Sequence, residues 1–414
     1  MRFHVLGLGP IGSLVAHHLR LVLPREHPIT LVHRSKRLVT LQRRDGGEIL
    51  TEVDGNFATS TGYDSEVFDQ EELVRKGIKS RQEFQGRTLN IPEKPVESVD
   101  PLKAIESLII TTKAQSTLPA ITRLLPRLSS NSTIVLLQNG LGVYEELIQE
   151  IFRNPENRPQ FILASNNHGA WLKNYGHVVH AGVGEIEFGI IPDPQCRDFE
   201  ASWKDESVPI YERRLHIDDI GQRDEPDFPR YRSLRLTVAA LSAMEALNTK
   251  WKPIEDVLVA MRRKLAVNAV INPLTALMGC RNGDVFTQRS SLRIARRICS
   301  EASTAYACEL TSLRHSMLAS SGDEDNEAQI PVGRLPRALE QNSLEQECLR
   351  VADKTKGNIS SMLTDIRQGR PTEIEYINGY LLKLGVAHGV QMPGNAMLLH
   401  LIKMRSAIPL DQML

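Results

Sequence analysis

Apolar residues in the first half of the chain occur in short runs that alternate with longer amphipathic stretches. Residues 2–6 form an apolar run, residues 7–12 a glycine-rich turn, residues 13–22 a helix-like stretch and residues 29–32 a second apolar run. Further elements of this kind are strands at 108–111, 133–137, 161–165, 177–180 and 185–190 and a helix near 118–128. Alternating strands and helices predict a parallel sheet with helices on both faces.

The pattern changes after about residue 251, where strand signals end and helical spacing takes over. Helices are predicted over residues 254–271, 292–318, 343–366 and 373–388. A chain of 414 residues is longer than one ordinary domain of roughly 100–200 residues. We therefore predict an α/β fold in two parts, an N-terminal sheet domain over residues 1–252 and an all-helical C-terminal domain over residues 253–414.

Three stretches fit neither pattern. Residues 45–100 are polar and rich in glycine and mixed charges, which predicts an insertion with a strand or two. Residues 192–230 are rich in Pro, Asp, Glu and Arg, so we expect a solvated, partly disordered surface segment. Residues 319–340 contain a run of acids among small polar residues, which indicates a mobile loop between helices.

The composition excludes several classes of protein. Lys and Arg together number 50, as do Asp and Glu, so the formal net charge of +0 gives no field for binding nucleic acid or an anionic membrane. The longest apolar runs are shorter than the ~20 residues of a membrane span. The 5 cysteines include no C-x-x-C pair and no metal-ligand spacing. We therefore expect reduced thiols, no metal and a cytoplasmic location, with a mitochondrial one as the alternative.

The glycine-rich turn is the first candidate for chemistry. It consists of Gly7-Leu8-Gly9-Pro10-Ile11-Gly12, directly after a strand and at the start of a helix. In that context the first glycine permits a tight turn, the second lets backbone N–H groups approach a pyrophosphate, and the third allows close packing of helix on strand. We predict that this turn binds a dinucleotide; the alternative is an ordinary glycine-rich turn.

The residues after the second strand indicate which dinucleotide is bound. NAD enzymes usually place Asp or Glu there to bind the ribose 2′-hydroxyl. This chain has His33-Arg34-Ser35-Lys36-Arg37 instead, which favours the 2′-phosphate of NADP over an ordinary solvated basic turn. Two further strand ends carry Lys113, which could reach the ribose or phosphate, and Asn139, which could orient the nicotinamide ribose or the substrate. Each is also a common surface residue.

A polar stripe lies on the first predicted helix of the second domain. Lys264, Asn268 and Asn272 are four residues apart, and each such step drifts by ~40° around a helix, so the three share one face. The residues between them are apolar, which predicts a largely buried helix. Because a buried ammonium or amide needs a partner, we predict that this face forms a wall of the substrate site. The alternative is a polar network that only fixes packing.

A second polar group surrounds Glu373. Thr372 and Glu375 are spaced as a capping box, which would put Glu373 in the first turn of the last major helix. An acid there stabilises the helix dipole in any case. Its functional interpretation is a carboxylate that pairs with Lys264 and accepts a hydrogen bond from a substrate hydroxyl. The neighbouring neutral donors for a substrate carboxylate are Asn358 and Ser361.

Motifs through most of the chain resemble those of the ketopantoate reductase family. The similarity is densest in residues 263–275, 358–366 and 372–379, and the glycine turn, Lys113 and Asn139-Gly140-x-Gly142 agree with it. It does not cover the three stretches described above. The resemblance implies a Rossmann-like domain followed by a helical domain, which reduces the small 2-oxo acid 2-dehydropantoate to (R)-pantoate with NADPH. We expect a monomer or homodimer.

The resemblance also implies roles for individual residues, with Lys264 as the proton donor and Glu373 as a catalytic carboxylate. The implied substrate-binding residues are Asn268, Asn272, Asn358, Ser361 and Asn139. The implied cofactor-binding residues are Gly7, Leu8, Gly9, Pro10, Ile11, Gly12, Arg34, Lys113, Asn139 and Glu373. The alternatives are a reductase of another 2-oxo acid, a hydroxyacid-phosphate dehydrogenase and a non-catalytic binding protein of the same fold.

Overall fold

The computed structural model describes residues 1–44, 46–67, 104–321 and 335–408. The chain divides into two compact units, one of Met1–Gln138 with Glu145–Val257 and one of Asn139–Tyr144 with Leu258–Leu414. Each unit has its own hydrophobic core. The loop predicted at 319–340 and the insertion predicted at 45–100 lie largely outside the described residues. None of the helices within the described ranges combines the length and apolarity that a membrane crossing needs.

Two sheets account for the described strands of the first unit. In chain order the strands are β1 (Phe3–Leu6), β2 (Ile29–His33), β3 (Ile49–Val53), β4 (Asn56–Ser60), β5 (Asp64–Val67), β6 (Ser107–Ile110), β7 (Thr133–Leu136), β8 (Gln160–Asn166), β9 (Gly169–Asn174), β10 (His177–Gly182), β11 (Ile186–Ile190) and β12 (Thr249–Trp251). The larger sheet has the order β12-β11-β8-β7-β6-β1-β2-β5 and is parallel except between β8 and β11. Its central strands are buried along their whole length, as strands covered on both faces must be.

Helices connect and cover these strands. They are α1 (Pro10–Val22), α2 (Lys36–Arg44), α3 (Thr117–Leu124), α4 (Val143–Glu150), α5 (Ala201–Lys204) and α6 (Phe228–Ser242). Most of α1 is buried, with Leu14, Val15 and Leu19 in the core of the first unit. The sequence pattern gave no prediction of α6, because its first turn overlaps the segment interpreted as a solvated surface.

Two predicted strands have different partners from those expected. The run at 177–180 is β10, which forms an antiparallel hairpin with β9 and pairs with β3 of the predicted insertion. This second sheet, in the order β4-β3-β10-β9, packs against α1, and Ile49 and Val178 are buried. The run at 185–190 is β11, which is antiparallel to β8. Apolar alternation specifies a strand, but contacts distant in sequence choose its neighbour.

The segment 192–230 is folded, so the expected partial disorder was wrong, although most of its residues are exposed or half-buried, as expected of a solvated surface segment. The side chains of Phe199 and Ile220 are 3% and 0% exposed, and both belong to the core of the first unit. Asp193 is also buried and accepts a hydrogen bond from the Tyr231 hydroxyl. A few apolar residues, too widely spaced to show a periodicity, are enough to fix this segment on the core.

The described part of the second unit is helical. Its helices are α7 (Ile254–Met278, which starts in the first unit), α8 (Arg289–Ser321), α9 (Gln341–Lys354), α10 (Ser361–Arg367), α11 (Asn378–Ala387) and α12 (Pro393–Ala407). An α/β sheet region followed by a helical region confirms the predicted fold class. The helix predicted at 343–366 is two helices, because Ser360 caps a new one: its Oγ accepts a hydrogen bond from the backbone N–H of Leu363 at 3.1 Å.

The helix predicted at 373–388 begins later than expected. Glu373 precedes a short 3-10 turn, Ile374–Tyr376, and α11 starts only at Asn378. The predicted capping box is therefore wrong, and the Glu375 carboxylate pairs instead with Lys403 of α12. Nor is α11 the last helix, since α12 follows it. The sequence spacing predicted a capping partner for the Glu375 carboxylate, but the fold provides Lys403 as its partner.

Candidate active site

Close backbone contacts require two of the glycines in the turn between β1 and α1. Gly7 has a φ of 101°, and a Cβ atom on it would lie 2.5 Å from the backbone nitrogen of Thr112. A Cβ atom on Gly12 would overlap the carbonyl oxygen of Gly7. A side chain at either position would therefore push α1 away from the sheet.

Gly9 differs from these two because the space beside its Cα is open. No heavy atom of the described residues lies within 4 Å of the place a Cβ atom would take on Gly9. Gly9 is the N-cap of α1, and residues 10–13 include no acid. The first backbone N–H groups of a helix lack intrahelical acceptors and carry the positive end of its dipole. An open approach to such donors fits the pyrophosphate of a dinucleotide.

The basic segment at the end of β2 contains a buried histidine followed by exposed cations. The His33 ring is buried and hydrogen-bonded to the Tyr175 hydroxyl at 2.7 Å. Burial, helped by the nearby charge of Arg43, lowers the pKa of His33 to about 4, so the ring is neutral at neutral pH. Arg34 is exposed directly after the strand, and α2 begins with two more basic residues. These cations follow the carboxyl end of a parallel strand, where α/β sheets bind nucleotides.

Lys113 and Asn139, both expected at strand ends, belong to different units. Lys113 lies three residues beyond β6 in the first unit and is partly exposed. Asn139 follows β7 but belongs to the second unit. The backbone N–H of Leu141 donates a hydrogen bond to the carbonyl of Tyr376 at 3.0 Å. Tyr376 lies three residues after Glu373, so the loop that carries Asn139 is fixed beside the Glu373 turn.

The predicted polar stripe lies on α7. Asn268 is partly exposed, and so is Lys264 as a whole residue, although protein surrounds its ammonium group; the side chain of Asn272 is 8% exposed. The apolar residues around them are buried in the core of the second unit: Leu265, Ala266, Val267, Ala269, Val270 and Ile271. The helix is therefore largely buried, as predicted, and its polar side chains are concentrated on one face.

Lys264 and Glu373 interact electrostatically. Burial lowers the pKa of Lys264 to about 8, and the negative charge of Glu373 acts in the opposite direction. The Glu373 side chain is 9% exposed. Near neutral pH the ammonium is the prevailing form of Lys264, but it is a stronger acid than an ordinary lysine. Such a group can donate a proton to an oxygen that becomes anionic during a reaction.

The position of Glu373 in the chain favours its functional interpretation. It lies outside the α-helices, and its backbone carbonyl accepts a hydrogen bond from the N–H of Tyr376 at 2.9 Å. The alternative was that Glu373 only complements the dipole of an α-helix that starts beside it. That helix, α11, starts only at Asn378, so the alternative no longer applies. A buried carboxylate is instead placed where it interacts with the buried ammonium of Lys264.

Asn358 and Ser361 are exposed. Between them in the chain lies the buried Ser360, which is hydrogen-bonded to α7. The Oγ1 atom of Thr275 donates a hydrogen bond to the Oγ atom of Ser360 at 2.7 Å. Thr275 lies three residues after Asn272, so the start of α10 is attached where the polar stripe ends. Ser360 was not predicted from the sequence. Its signal was a Ser-Ser pair before an apolar dipeptide, with the first serine in the N-cap position.

Comparisons with known proteins show the family of this chain. The ketopantoate reductase family model matches residues 3–193, and the model of the family's C-terminal part matches residues 256–406. A 2-dehydropantoate 2-reductase of Yersinia pestis is 30% identical over 310 residues, which are 74% of this chain and 77% of that protein. The chain belongs to the ketopantoate reductase family. The resemblance inferred from the sequence motifs is confirmed.

Further relatives extend the similarity along the chain. A probable 2-dehydropantoate 2-reductase of Schizosaccharomyces pombe is 26% identical over 403 residues, which cover 97% of this chain and 95% of that protein. Among solved structures, a probable 2-dehydropantoate 2-reductase from Bacillus subtilis has a TM-score of 0.56 at 20% identity, covering 98% of this chain and 100% of that one. A D-mandelate dehydrogenase solved with NADH and anilino(oxo)acetate has a TM-score of 0.63 at 16% identity, covering 98% of both chains. These structures share the fold.

Proposed function

We propose that this protein reduces 2-dehydropantoate to (R)-pantoate with NADPH. The observation that carries the proposal is the Lys264–Glu373 pair in the second unit, whose lysine lies on a face of α7 that also presents Asn268 and Asn272. A buried ammonium with a lowered pKa is the group that protonation of a reduced carbonyl oxygen needs. The family to which the chain belongs includes relatives named for this reaction.

When bound, NADPH supplies the hydride that adds to the carbonyl carbon of the 2-oxo acid. Lys264 stabilises the negative charge that develops on the carbonyl oxygen and then donates its proton to that atom. Glu373 and Asn272 hold the distal hydroxyl of the substrate, and Asn268 lines the same face. The donors for the substrate carboxylate are Ser361, Asn358 and Asn139. Binding these groups orients the carbonyl oxygen toward the ammonium.

The first unit would hold most of the cofactor. The glycine turn, residues 7–12, takes the pyrophosphate at the open side of Gly9, and Arg34 binds the 2′-phosphate. Lys113 contributes a further positive charge, and Asn139 and Glu373 are proposed as further cofactor contacts. We propose a monomer or homodimer in the cytoplasm, and the free state of all five cysteines supports a reducing compartment.

The proposed reaction is tested with purified protein, NADPH or NADH, and a panel of 2-oxo acids, by following oxidation of the nicotinamide. We expect 2-dehydropantoate to give the highest kcat/KM and NADPH to be preferred to NADH. Preference for another 2-oxo acid would reassign the substrate and keep the reaction class. A folded protein that binds NADPH but reduces none of the acids would support a non-catalytic role instead.

Two glycine substitutions separate cofactor binding from folding. Gly9→Ala is expected to leave the thermal midpoint unchanged and to weaken NADPH binding by about tenfold, equivalent to ~1.4 kcal/mol, because the new methyl group occupies the approach of the phosphates. Gly12→Ala is the matched control and is expected to lower the free energy of unfolding by about 1–3 kcal/mol through overlap with Gly7. Calorimetry and nucleotide titration measure both. Unchanged NADPH affinity in Gly9→Ala would contradict the placement of the pyrophosphate.

Cofactor preference depends on Arg34 in this proposal. Arg34→Ala should raise the KM for NADPH by roughly 10–100-fold, the loss of one charged hydrogen-bonding contact, with little change in the KM for NADH. Arg43→Ala, which removes a cation from the last turn of the adjacent α2, is the matched control and should affect neither. Steady-state kinetics with both cofactors decide the matter. Equal effects of Arg34→Ala on NADPH and NADH would show that the 2′-phosphate binds elsewhere.

A further inference from the structure

A proline inside α7 leaves one backbone carbonyl without its helical partner. In an α-helix the N–H of residue i donates to the carbonyl of residue i−4, and proline has no N–H. Pro273 lies within Ile254–Met278, so the carbonyl of Ala269 receives no hydrogen bond from residue 273. Ala269 is 0% exposed, and a buried carbonyl that lacks a donor destabilises the fold.

The side chain of Asn378 supplies the missing donor. Asn378 is the first residue of α11 and is 0% exposed. Its Nδ2 group donates a hydrogen bond to the Ala269 carbonyl at 3.0 Å and a second one to Oδ1 of Asn395 at 3.0 Å. One amide group thus links α7 to the start of α11 and to α12.

A buried carboxylate fixes the orientation of both amides. Glu301 of α8 accepts hydrogen bonds from the backbone N–H groups of Gly394 and Asn395, at 2.9 and 3.0 Å, and from Nδ2 of Asn395 at 2.9 Å. An ionised carboxylate only accepts, so Asn395 must turn its Nδ2 toward Glu301 and its Oδ1 toward Asn378. Asn378 must then present Nδ2, the group that also reaches Ala269. The hydrogen-bond donors and acceptors of the network therefore allow one orientation for each of the two side-chain amides.

The network attaches α11 to the turn of α7 that carries the polar stripe. Ala269 directly follows Asn268 and lies between Lys264 and Asn272 along the helix. Glu373 is five residues before Asn378 and is connected to it by the turn Ile374–Tyr376. A hydrogen bond between Asn378 and Ala269 therefore limits how far Glu373 can move from Lys264.

We infer that Asn378 is a positioning residue for the Lys264–Glu373 pair, through its hydrogen bond to the carbonyl that Pro273 leaves unpaired. The inference rests on the proposed function, since the pair is proposed to act on the 2-oxo acid. Asn378 itself is fully buried and acts only through the elements that it connects. Its contribution is to the distance between an ammonium and a carboxylate rather than to substrate contact.

Asn378→Ala should lower kcat for 2-dehydropantoate by roughly 10–100-fold, as expected for a small misplacement of a catalytic group, with a smaller change in KM. The basic limb of the kcat/KM profile should also move to lower pH, because a more distant Glu373 raises the pKa of Lys264 less. Leu344→Ala is the control for stability alone: Leu344 is fully buried in α9, which packs against α8. It should lower the thermal midpoint and leave the pH profile in place.

A double substitution distinguishes positioning from simple stabilisation. Adding Pro273→Ala to Asn378→Ala restores a backbone donor for the Ala269 carbonyl, so the thermal midpoint should recover, which also serves if Asn378→Ala alone does not fold. The link to α11 is not restored, so kcat should remain low relative to Pro273→Ala alone. Recovery of kcat to the level of Pro273→Ala would overturn the inference.

A readout that needs no turnover keeps this inference separate from the proposed function. The pKa of Lys264 can be followed by NMR after reductive methylation with labelled formaldehyde, with Lys264→Arg identifying the signal. Asn378→Ala, with or without Pro273→Ala, should lower that pKa. An unchanged pKa would contradict positioning even in an active enzyme, whereas an inactive wild-type protein with the expected pKa change would overturn only the assigned reaction.

Discussion

Lys264→Ala is expected to lower kcat for the reduction of 2-dehydropantoate by about 10²–10³-fold, the usual effect of removing one donor aimed at a developing oxyanion. The ammonium of Lys264 stabilises the alkoxide as it forms and then protonates it. Affinity for NADPH should be retained, because the proposed phosphate contacts lie in the first unit. Single-turnover kinetics with saturating NADPH measure the chemical step, and a fluorescence titration measures cofactor binding.

Arg263→Ala provides the matched control for this prediction. Arg263 is a neighbouring cation on α7, about 100° around the helix from Lys264, and its Nε atom lies 3.9 Å from Oε1 of Glu347. Its removal should change kcat little. Near-normal turnover by a folded Lys264→Ala protein would remove Lys264 from its assigned role, whatever the behaviour of Arg263→Ala.

The same assignment fixes the sign of the pH dependence. Lys264 must be protonated to act, and burial lowers its pKa to about 8, so kcat/KM should fall as the pH rises through about 8. An ordinary lysine would keep its proton to a pH roughly two units higher. Glu373→Gln should move this limb to lower pH, because the Glu373 charge raises the pKa of Lys264.

The second large effect concerns substrate choice. The wild-type protein should prefer 2-dehydropantoate, by about 10⁴-fold in kcat/KM, over the analogue in which the hydroxymethyl group is replaced by methyl. A site built to hydrogen-bond a hydroxyl leaves its buried polar groups unpaired when that hydroxyl is missing. Glu373 and Asn272, both at least nine-tenths buried, are the groups that would be left unpaired.

Substitution of these two residues should remove most of that preference. Asn272→Ala and Glu373→Ala should both lower kcat/KM for 2-dehydropantoate far more than for the methyl analogue. The assays should be run well below the pKa of Lys264, so that the effect of Glu373 on that pKa does not contribute. If both substrates lose activity equally, the hydroxyl is bound elsewhere, and the role of Glu373 reduces to its electrostatic effect on Lys264.

Some elements of this fold and site follow from the local sequence, because they depend on backbone conformation and helical periodicity. The turn at residues 7–12 was predicted with its flanking strand and helix, because the backbone conformation at Gly7 and the close packing at Gly12 exclude side chains. The stripe of Lys264, Asn268 and Asn272 was predicted because helical periodicity alone puts residues four apart on one face. A pairing of Lys264 with Glu373 was one of two interpretations of Glu373, and the sequence alone did not choose between them.

Other features could not be obtained in this way. A hydrophobic run indicates a strand but does not determine the strand with which it pairs. The run at 177–180 was therefore assigned to the wrong sheet. The folding of 192–230 depends on Phe199 and Ile220, whose isolated positions show no period. Ser360 and Asn378 looked like ordinary polar residues, because their partners, Thr275 and Ala269, are 85 and 109 residues away in the chain.

The sequence by itself determined which backbone conformations are possible and which side chains share a face, because both depend on neighbours a few residues away. It thereby identified the glycine-rich turn, the division into an α/β and a helical part, and the lysine on a buried helix. Only the tertiary structure decided which distant groups meet: the buried carboxylate that interacts with Lys264, and the amide that replaces the donor lost at Pro273. Burial and charge act through space, so the acidity of Lys264 is a property of the fold rather than of the segment that contains it.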